Sequence, residues 1–195
     1  MAERSGKKAE YRSARRSRRM IKTAFLELLR EKELKKITVT DIVNRCGLNR
    51  GTFYSHYTGV SAVIEQIENE LIAAIEDVLE PPINDSERTV NYLLKKFTEL
   101  LKSDVEYYRL VVNCGGEQFA TKFRDFLLAR MKKGDLLVHK ELSEVEAQFM
   151  IGGFVAVYLN WFEGKTDCTL EELGMAVDSI IRTSAQRSRP GKKFS

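Results

Sequence analysis

Proline is almost missing from this chain, standing only at positions 81, 82 and 190. Because proline breaks helix interiors, nearly the whole length is left free to be helical. Histidine is as scarce: His56 and His139 alone give histidine-based catalysis or metal binding little to work with. The three cysteines, Cys46, Cys114 and Cys168, are scattered, without C-x-x-C spacing or a nearby histidine. Neither a disulfide framework nor a zinc site is indicated, and a reducing cytoplasm is the expected compartment. No apolar stretch follows the first basic residues, so no secretory signal is expected. The longest uncharged segment, residues 147–162, has 16 residues and includes Gln148 and Asn160. A bilayer span needs roughly 17–25 apolar residues, so a buried helix is expected there and no membrane partner. Nucleophile–base pairs, metal spacings and phosphate loops are lacking as well. The chain is therefore not read as an enzyme, and it is assigned no catalytic residue, cofactor or metal.

What is present is a folded composition, 43% hydrophobic and 31% charged, with a lopsided charge. The net charge is +4, yet the first 22 residues carry nine lysines and arginines (Arg4, Lys7, Lys8, Arg12, Arg15, Arg16, Arg18, Arg19, Lys22) against Glu3 and Glu10. That end has a balance of +7, and the other 23 basic and 26 acidic residues leave the remainder at −3. A basic end on a mildly acidic body points to a polyanionic partner at that end.

No segment alternates with period two. Apolar residues recur at three and four, which predicts an all-α protein. Ile21, Ala24, Phe25, Leu28 and Leu29 form the stripe of a first helix running back into the basic segment. Thr38-Val39-Thr40-Asp41 resembles a capping box with aspartate for glutamate. The short helix it starts should end at Cys46-Gly47, and Asn49 should cap a third. A long fourth helix carries Val63, Ile64, Ile67, Leu71, Ile75 and Val78, and Pro81-Pro82 ends it. The expected division is thus residues 1–80, a basic arm with a helix-turn-helix, and residues 81–195, a larger helical domain. Further capping boxes are expected at Ser103/Glu106, Ser143/Glu146 and Thr169/Glu172. The total is about nine helices. Gly115-Gly116-Glu117-Gln118-Phe119 has the look of a diguanylate cyclase signature. That signature needs a β-hairpin, and here the run lies between helical patterns, so it is read as chance.

The informative segment is 37–57, ITVTDIVNRCGLNRGTFYSHY. It reads as two short helices joined by a Gly-Leu-Asn turn, with Ile42, Val43, Leu48, Phe53 and Tyr57 spaced to pack on the first helix. That packing leaves Arg50, Gly51, Thr52, Tyr54 and His56 facing outward. Such a three-helix unit offers the start of its last helix to the DNA major groove. Arg50 suits a bidentate contact to guanine, Thr52 and Tyr54 a thymine methyl or a phosphate, and Gly51 permits close backbone approach.

Residues 16–70 resemble the DNA-binding domain of the tetracycline-repressor (TetR) family, whose Thr-(Leu/Phe)-Tyr-x-(His/Tyr)-(Phe/Tyr) run appears here as Thr52-Phe53-Tyr54-Ser55-His56-Tyr57. The resemblance implies DNA contacts from Thr38, Thr40, Arg50, Gly51, Thr52, Tyr54 and His56. One departure stands out: the family often has a phosphate-touching lysine at the start of the fourth helix, where this chain has Val60. A backbone amide there, or the basic arm from 12 to 22, would have to replace it. The run Phe149-Met-Ile-Gly-Gly-Phe-Val-Ala-Val-Tyr-Leu-Asn-Trp-Phe162 looks like a helix of a carboxy-terminal domain type found in Firmicutes members.

That helix is apolar on nearly every face and so must be covered on more than one side. With the final helix (Leu173, Ala176, Val177, Ile180, Ile181) it either closes one chain's core or pairs with a second copy in a four-helix interface. The resemblance further implies a small-molecule effector, with Tyr92, Tyr107, Tyr108, Phe119, Phe123, Phe126, Tyr158 and Trp161 as aromatic candidates for its pocket, none of them assigned. The expected function is a homodimeric, ligand-responsive repressor reading a palindromic operator in double-stranded DNA. The alternative is a co-regulator of the same fold acting through protein partners.

Overall fold

A computed structural model describes residues 2–79, 86–133 and 143–187, and every regular element there is helical. In chain order these are α1 (Ala2–Glu31), a 3-10 turn (Leu34–Lys36), α2 (Val39–Cys46), α3 (Arg50–Tyr54), α4 (Val60–Leu79), α5 (Ser86–Ser103), α6 (Val105–Lys132), α7 (Glu144–Phe162) and α8 (Leu170–Arg187). The all-α expectation holds. The chain forms two compact units, Met1–Glu70 and Leu71–Ser195, and the division falls inside α4. The boundary read at Pro81-Pro82 lies outside the described residues.

In the first unit the helical stripe of α1 buries Ile21, Ala24, Phe25 and Leu28. Against it lie Ile42 and Val43 of α2, Phe53 of α3, Tyr57, and Val63 and Ile67 of α4. Phe25, Phe53, Ile21, Ile42 and Val63 are the largest fully buried side chains; each contributes roughly 1.5–3 kcal/mol relative to an exposed position. Leu29 and Leu48 are only half-buried.

In the second unit α6 packs on α7, α5 on α8, and α7 on α8. The expected caps form at Ser143, whose hydroxyl accepts from the Glu146 amide, and at Thr169, which does the same for Glu172. The cap expected at Ser103 does not. Ser103 is still helical as the last residue of α5, and its hydroxyl donates back to the Leu100 carbonyl at 2.6 Å. The cap of α6 is Asp104, in non-helical backbone, accepting from the Tyr107 amide at 3.0 Å. A cap must sit outside the helix it starts, and the chain leaves the helix at 104, one residue later than the pattern S-x-x-E implied.

Inside α6, Gly116 adopts φ 52°, ψ −136° and breaks the helix into two stretches. The break lies in the Gly115–Phe119 run that the sequence placed between helical patterns. A Cβ added at Gly116 would meet nothing within 4 Å, so Gly116→Ala is resisted by the backbone conformation alone. The expected cost is roughly 1–3 kcal/mol. A lower denaturation midpoint at unchanged slope would show it.

The second unit's core is aromatic. Phe97 lies 5.1 Å from Tyr158 and 5.6 Å from Phe154 between ring centroids, and Phe119 stacks on Phe123 at 5.9 Å. Among these rings is a cavity of about 20 Å³, lined by residues that include Leu101, Tyr108, Val112, Phe119, Phe123 and Tyr158. Of the aromatics singled out from sequence, Tyr108, Phe119, Phe123 and Tyr158 line it. Tyr92, Tyr107, Phe126 and Trp161 do not, while Phe97 and Phe162 do.

Helix α7 buries only one face, through Ile151, Val155, Tyr158 and Phe162. Phe149 stays 81% exposed, and Gly153 and Ala156 are exposed too. The α8 stripe is divided in the same way: Leu173 and Val177 are buried, whereas Met175, Ala176 and Ile180 face out. Among the described residues no helix is long and apolar enough to cross a membrane.

Candidate nucleic-acid interface

The short helices α2 and α3 are fixed at both ends by local chemistry. Thr38 caps α2: its hydroxyl accepts from the Asp41 amide, and the Asp41 carboxylate in turn accepts from the Thr38 amide at 2.8 Å and hydroxyl at 2.7 Å. Gly47 ends α2 at φ 67°, a left-handed conformation that favours glycine. The Asn49 side chain then caps α3 by accepting from the Thr52 amide at 2.7 Å. A Cβ on Gly51 would come within 3.2 Å of that same Asn49 Oδ1, so Gly51 serves the cap as well as leaving the helix surface bare.

Burial decides which side chains are presented. Phe53 is fully buried and Tyr57 nearly so, and their rings lie 5.7 Å apart. With that side anchored, Arg50, Gly51 and Tyr54 are exposed and Thr52 and His56 half-exposed. The Tyr54 ring packs edge-on against Phe53 at 5.5 Å and 86°. Thr38 is exposed and Thr40 half-exposed on the first turn of α2. The outward set read from sequence is therefore brought to one short stretch of surface. Thr38 differs from the others in having its hydroxyl committed to the cap.

Two arginines here have different surroundings. Arg45 is clamped by Glu31, with 2.9 Å and 2.6 Å contacts, and reaches Glu27 at 3.5 Å. Its charge is neutralised within the fold. Arg50 donates from Nη2 to the Thr40 hydroxyl at 2.5 Å, a neutral partner that does not offset the guanidinium charge. On α1, Arg12, Arg15, Arg16, Arg18 and Arg19 are exposed, while Lys22 pairs with Glu70. Arg18 also acts on the turn after α3. Burial first, and then the Arg18 charge, hold the His56 imidazole below its ordinary pKa. Tyr57 is pushed up to about 12, chiefly by burial and then by Glu70.

Asp41 ties this surface to pH. Its carboxyl is held down to about 2, first by the hydrogen bond from Lys32 (2.8 Å) and then by the Thr38 hydroxyl and amide. A carboxylate favoured by folding stabilises the fold fully above its ordinary value of 3.8 and stops doing so as pH falls through about 2. The α2 cap is therefore expected to weaken within that window. An acid titration followed by circular dichroism should show a smaller loss for Asp41→Asn than for the native chain over the same range.

Neither a protein-family model nor a curated protein matches the sequence. Solved structures do match. A TetR-family regulator from Syntrophomonas wolfei superposes with a TM-score of 0.69 at 20% identity, covering 91% of this chain and 99% of that one. A TetR regulator from Streptococcus agalactiae gives 0.63 at 20% identity, covering 89% and 97%. The chain has the TetR fold. The dihydroxyacetone kinase operon activator DhaS shares it, with a TM-score of 0.59 at 16% identity over 88% of this chain and 97% of its own. Here α2, the Gly47 turn and α3 form two short helices joined by a tight turn, the arrangement expected for residues 37–57. Among the described residues no cluster of three metal-ligating side chains occurs. Sequence reasoning missed the link between Thr40 and Arg50, which lie ten positions apart on different helices and carry no spacing signal.

Proposed function

We propose that this chain is a sequence-specific DNA-binding transcriptional regulator of the cytoplasm, a ligand-responsive repressor that binds a palindromic operator as a homodimer. The observation that carries this reading is the surface of α3. There Arg50, Gly51, Thr52 and Tyr54 are displayed over the buried Phe53, and among the described residues the arginine has no carboxylate partner. Arg50, Thr52 and Tyr54 address base edges, while Thr38, His56 and the arginines of α1 add sugar–phosphate contacts. Val60 cannot supply the charge of a lysine, but the amides at the start of α4 and the arm can meet the same phosphates.

Selection from random double-stranded DNA tests the reading. Enrichment of a palindrome is expected, with affinity falling steeply as salt rises. If no sequence is enriched, the alternative, a co-regulator working through protein partners, takes its place; the valine at position 60 is the feature that favours it. DhaS is named an operon activator, so the sense of regulation needs its own measurement. Reporter expression from the selected operator should rise when the protein is removed.

The exposed apolar faces of α7 (Val145, Phe149) and α8 (Met175, Ile180) support the dimer. Sedimentation at micromolar concentration should give twice the chain mass, and Phe149→Glu should shift it to monomer. An effector would enter the second unit's core. The cavity is far smaller than the roughly 300–1,000 Å³ of ligand sites, so binding must part its lining. Val112 and Phe119, on either side of the Gly116 break, belong to that lining. No charged side chain is among the lining residues, so the buried part of the effector is uncharged.

A further inference from the structure

The contact between Arg50 and Thr40 assigns Thr40 a role other than touching DNA. We infer that Thr40 is a positioning residue: its hydroxyl fixes the Arg50 guanidinium in place before a nucleic acid arrives and thereby sets base preference. The inference rests on the DNA-binding reading above. It starts from where the two residues sit. Arg50 opens α3 immediately after its Asn49 cap, and Thr40 lies in the first turn of α2, one residue beyond Val39. Arg50 is exposed at the start of a five-residue helix, where burial does little to choose its rotamer. Gly51 beside it offers no side chain, and Asn49 is occupied with the Thr52 amide.

The Thr40 hydroxyl supplies what packing does not, accepting from Nη2 at 2.5 Å. A guanidinium carries five N–H donors. One is spent on Thr40, and the other four remain for a guanine edge or a phosphate. The partner is neutral, so it orders the arginine without cancelling its charge, unlike the Glu31 carboxylate at Arg45. Neutrality matters here. A carboxylate in the place of Thr40 would hold Arg50 more tightly but would compete with the nucleic acid for it and repel phosphate. A hydroxyl gives way at little cost.

Pre-ordering one long side chain is worth about 3- to 10-fold in affinity, and all of it should flow through Arg50. The test is a double-mutant cycle on the full chain, with the operator obtained by selection and with an unrelated duplex. Thr40→Val is expected to weaken operator binding by about 3- to 10-fold. It should also flatten the preference at the base pair that Arg50 reads, and leave the unrelated duplex bound as before. Thr40→Ser should restore the native values. In an Arg50→Ala background Thr40→Val should have no further effect.

A readout without DNA accompanies it: nuclear relaxation of the Arg50 Nε–H should report greater mobility in Thr40→Val than in the native chain. An equal loss from Thr40→Val with and without Arg50 would mean that Thr40 contacts DNA itself, and would overturn the proposal. So would an Arg50 whose mobility is unchanged. If selection enriches no sequence, the DNA-binding reading fails and this proposal fails with it. Failure of the cycle or of the relaxation measurement alone leaves that reading standing.

Discussion

Arg50→Ala is expected to lower affinity for the selected operator by about 1–3 kcal/mol, roughly 5- to 150-fold, and to relax preference at one base pair of each proposed half-site. The direction follows from the surroundings of the guanidinium. Its contact with Thr40 is neutral and sits on an exposed surface, so removing the side chain leaves no buried charge uncompensated and the fold is spared. The loss should therefore appear in specific binding, with the melting temperature held. Binding to an unrelated duplex should weaken much less, because on the proposed reading the exposed arginines of α1 carry the sequence-independent part. Tyr54→Ala should also weaken specific binding, since that residue is 56% exposed on α3 and packs edge-on against Phe53. Gel-shift or fluorescence-anisotropy titrations at fixed salt measure both variants. Unchanged specific binding in the two together would sink the assignment of this surface.

Phe53→Ala acts in the opposite manner, on the fold before the function. The ring is fully buried in the first unit, and replacing a buried phenylalanine by alanine costs about 3–5 kcal/mol. That is a large share of the 5–15 kcal/mol by which a typical domain is stable. Helix α3 has five residues, too few to be stable alone, since isolated helices shorter than roughly 12–15 residues are marginal. Its position thus depends on the Phe53 anchor and the Asn49 cap. Denaturant unfolding should show the loss in stability, and operator binding should vanish at temperatures where the native chain still binds. A variant that kept native stability would mean that the ring is not the anchor of α3.

The helix-turn-helix was open to reading because its determinants are local. The caps at Thr38 and Asn49 act within three residues, the Gly47 stop within one turn, and Phe53 and Tyr57 are separated by one helical repeat. Periodicity and capping chemistry are properties of the chain, so they survive without tertiary information. At Ser103 the same rule went astray. The motif S-x-x-E was present, but α5 runs on through Ser103, whose hydroxyl donates back to the Leu100 carbonyl, and the cap falls to Asp104. Position within a helix end is a matter of one residue, below what pattern alone resolves.

The sequence by itself determined that the chain is helical throughout its described residues. It determined where α2 and α3 begin, and that Arg50, Thr52 and Tyr54 lie opposite Phe53. Short-range hydrogen bonds and helical spacing were sufficient for each. Tertiary structure alone decided which arginine is available and which is tied down. Arg45 and Arg50 look alike in sequence, but only folding brings Glu31 to the first and Thr40 to the second. It also decided that α7 covers one face and exposes the other, and that Phe97 and Phe162 line the cavity while Tyr92 does not. Such pairings join residues far apart along the chain, and spacing along a chain carries no record of them.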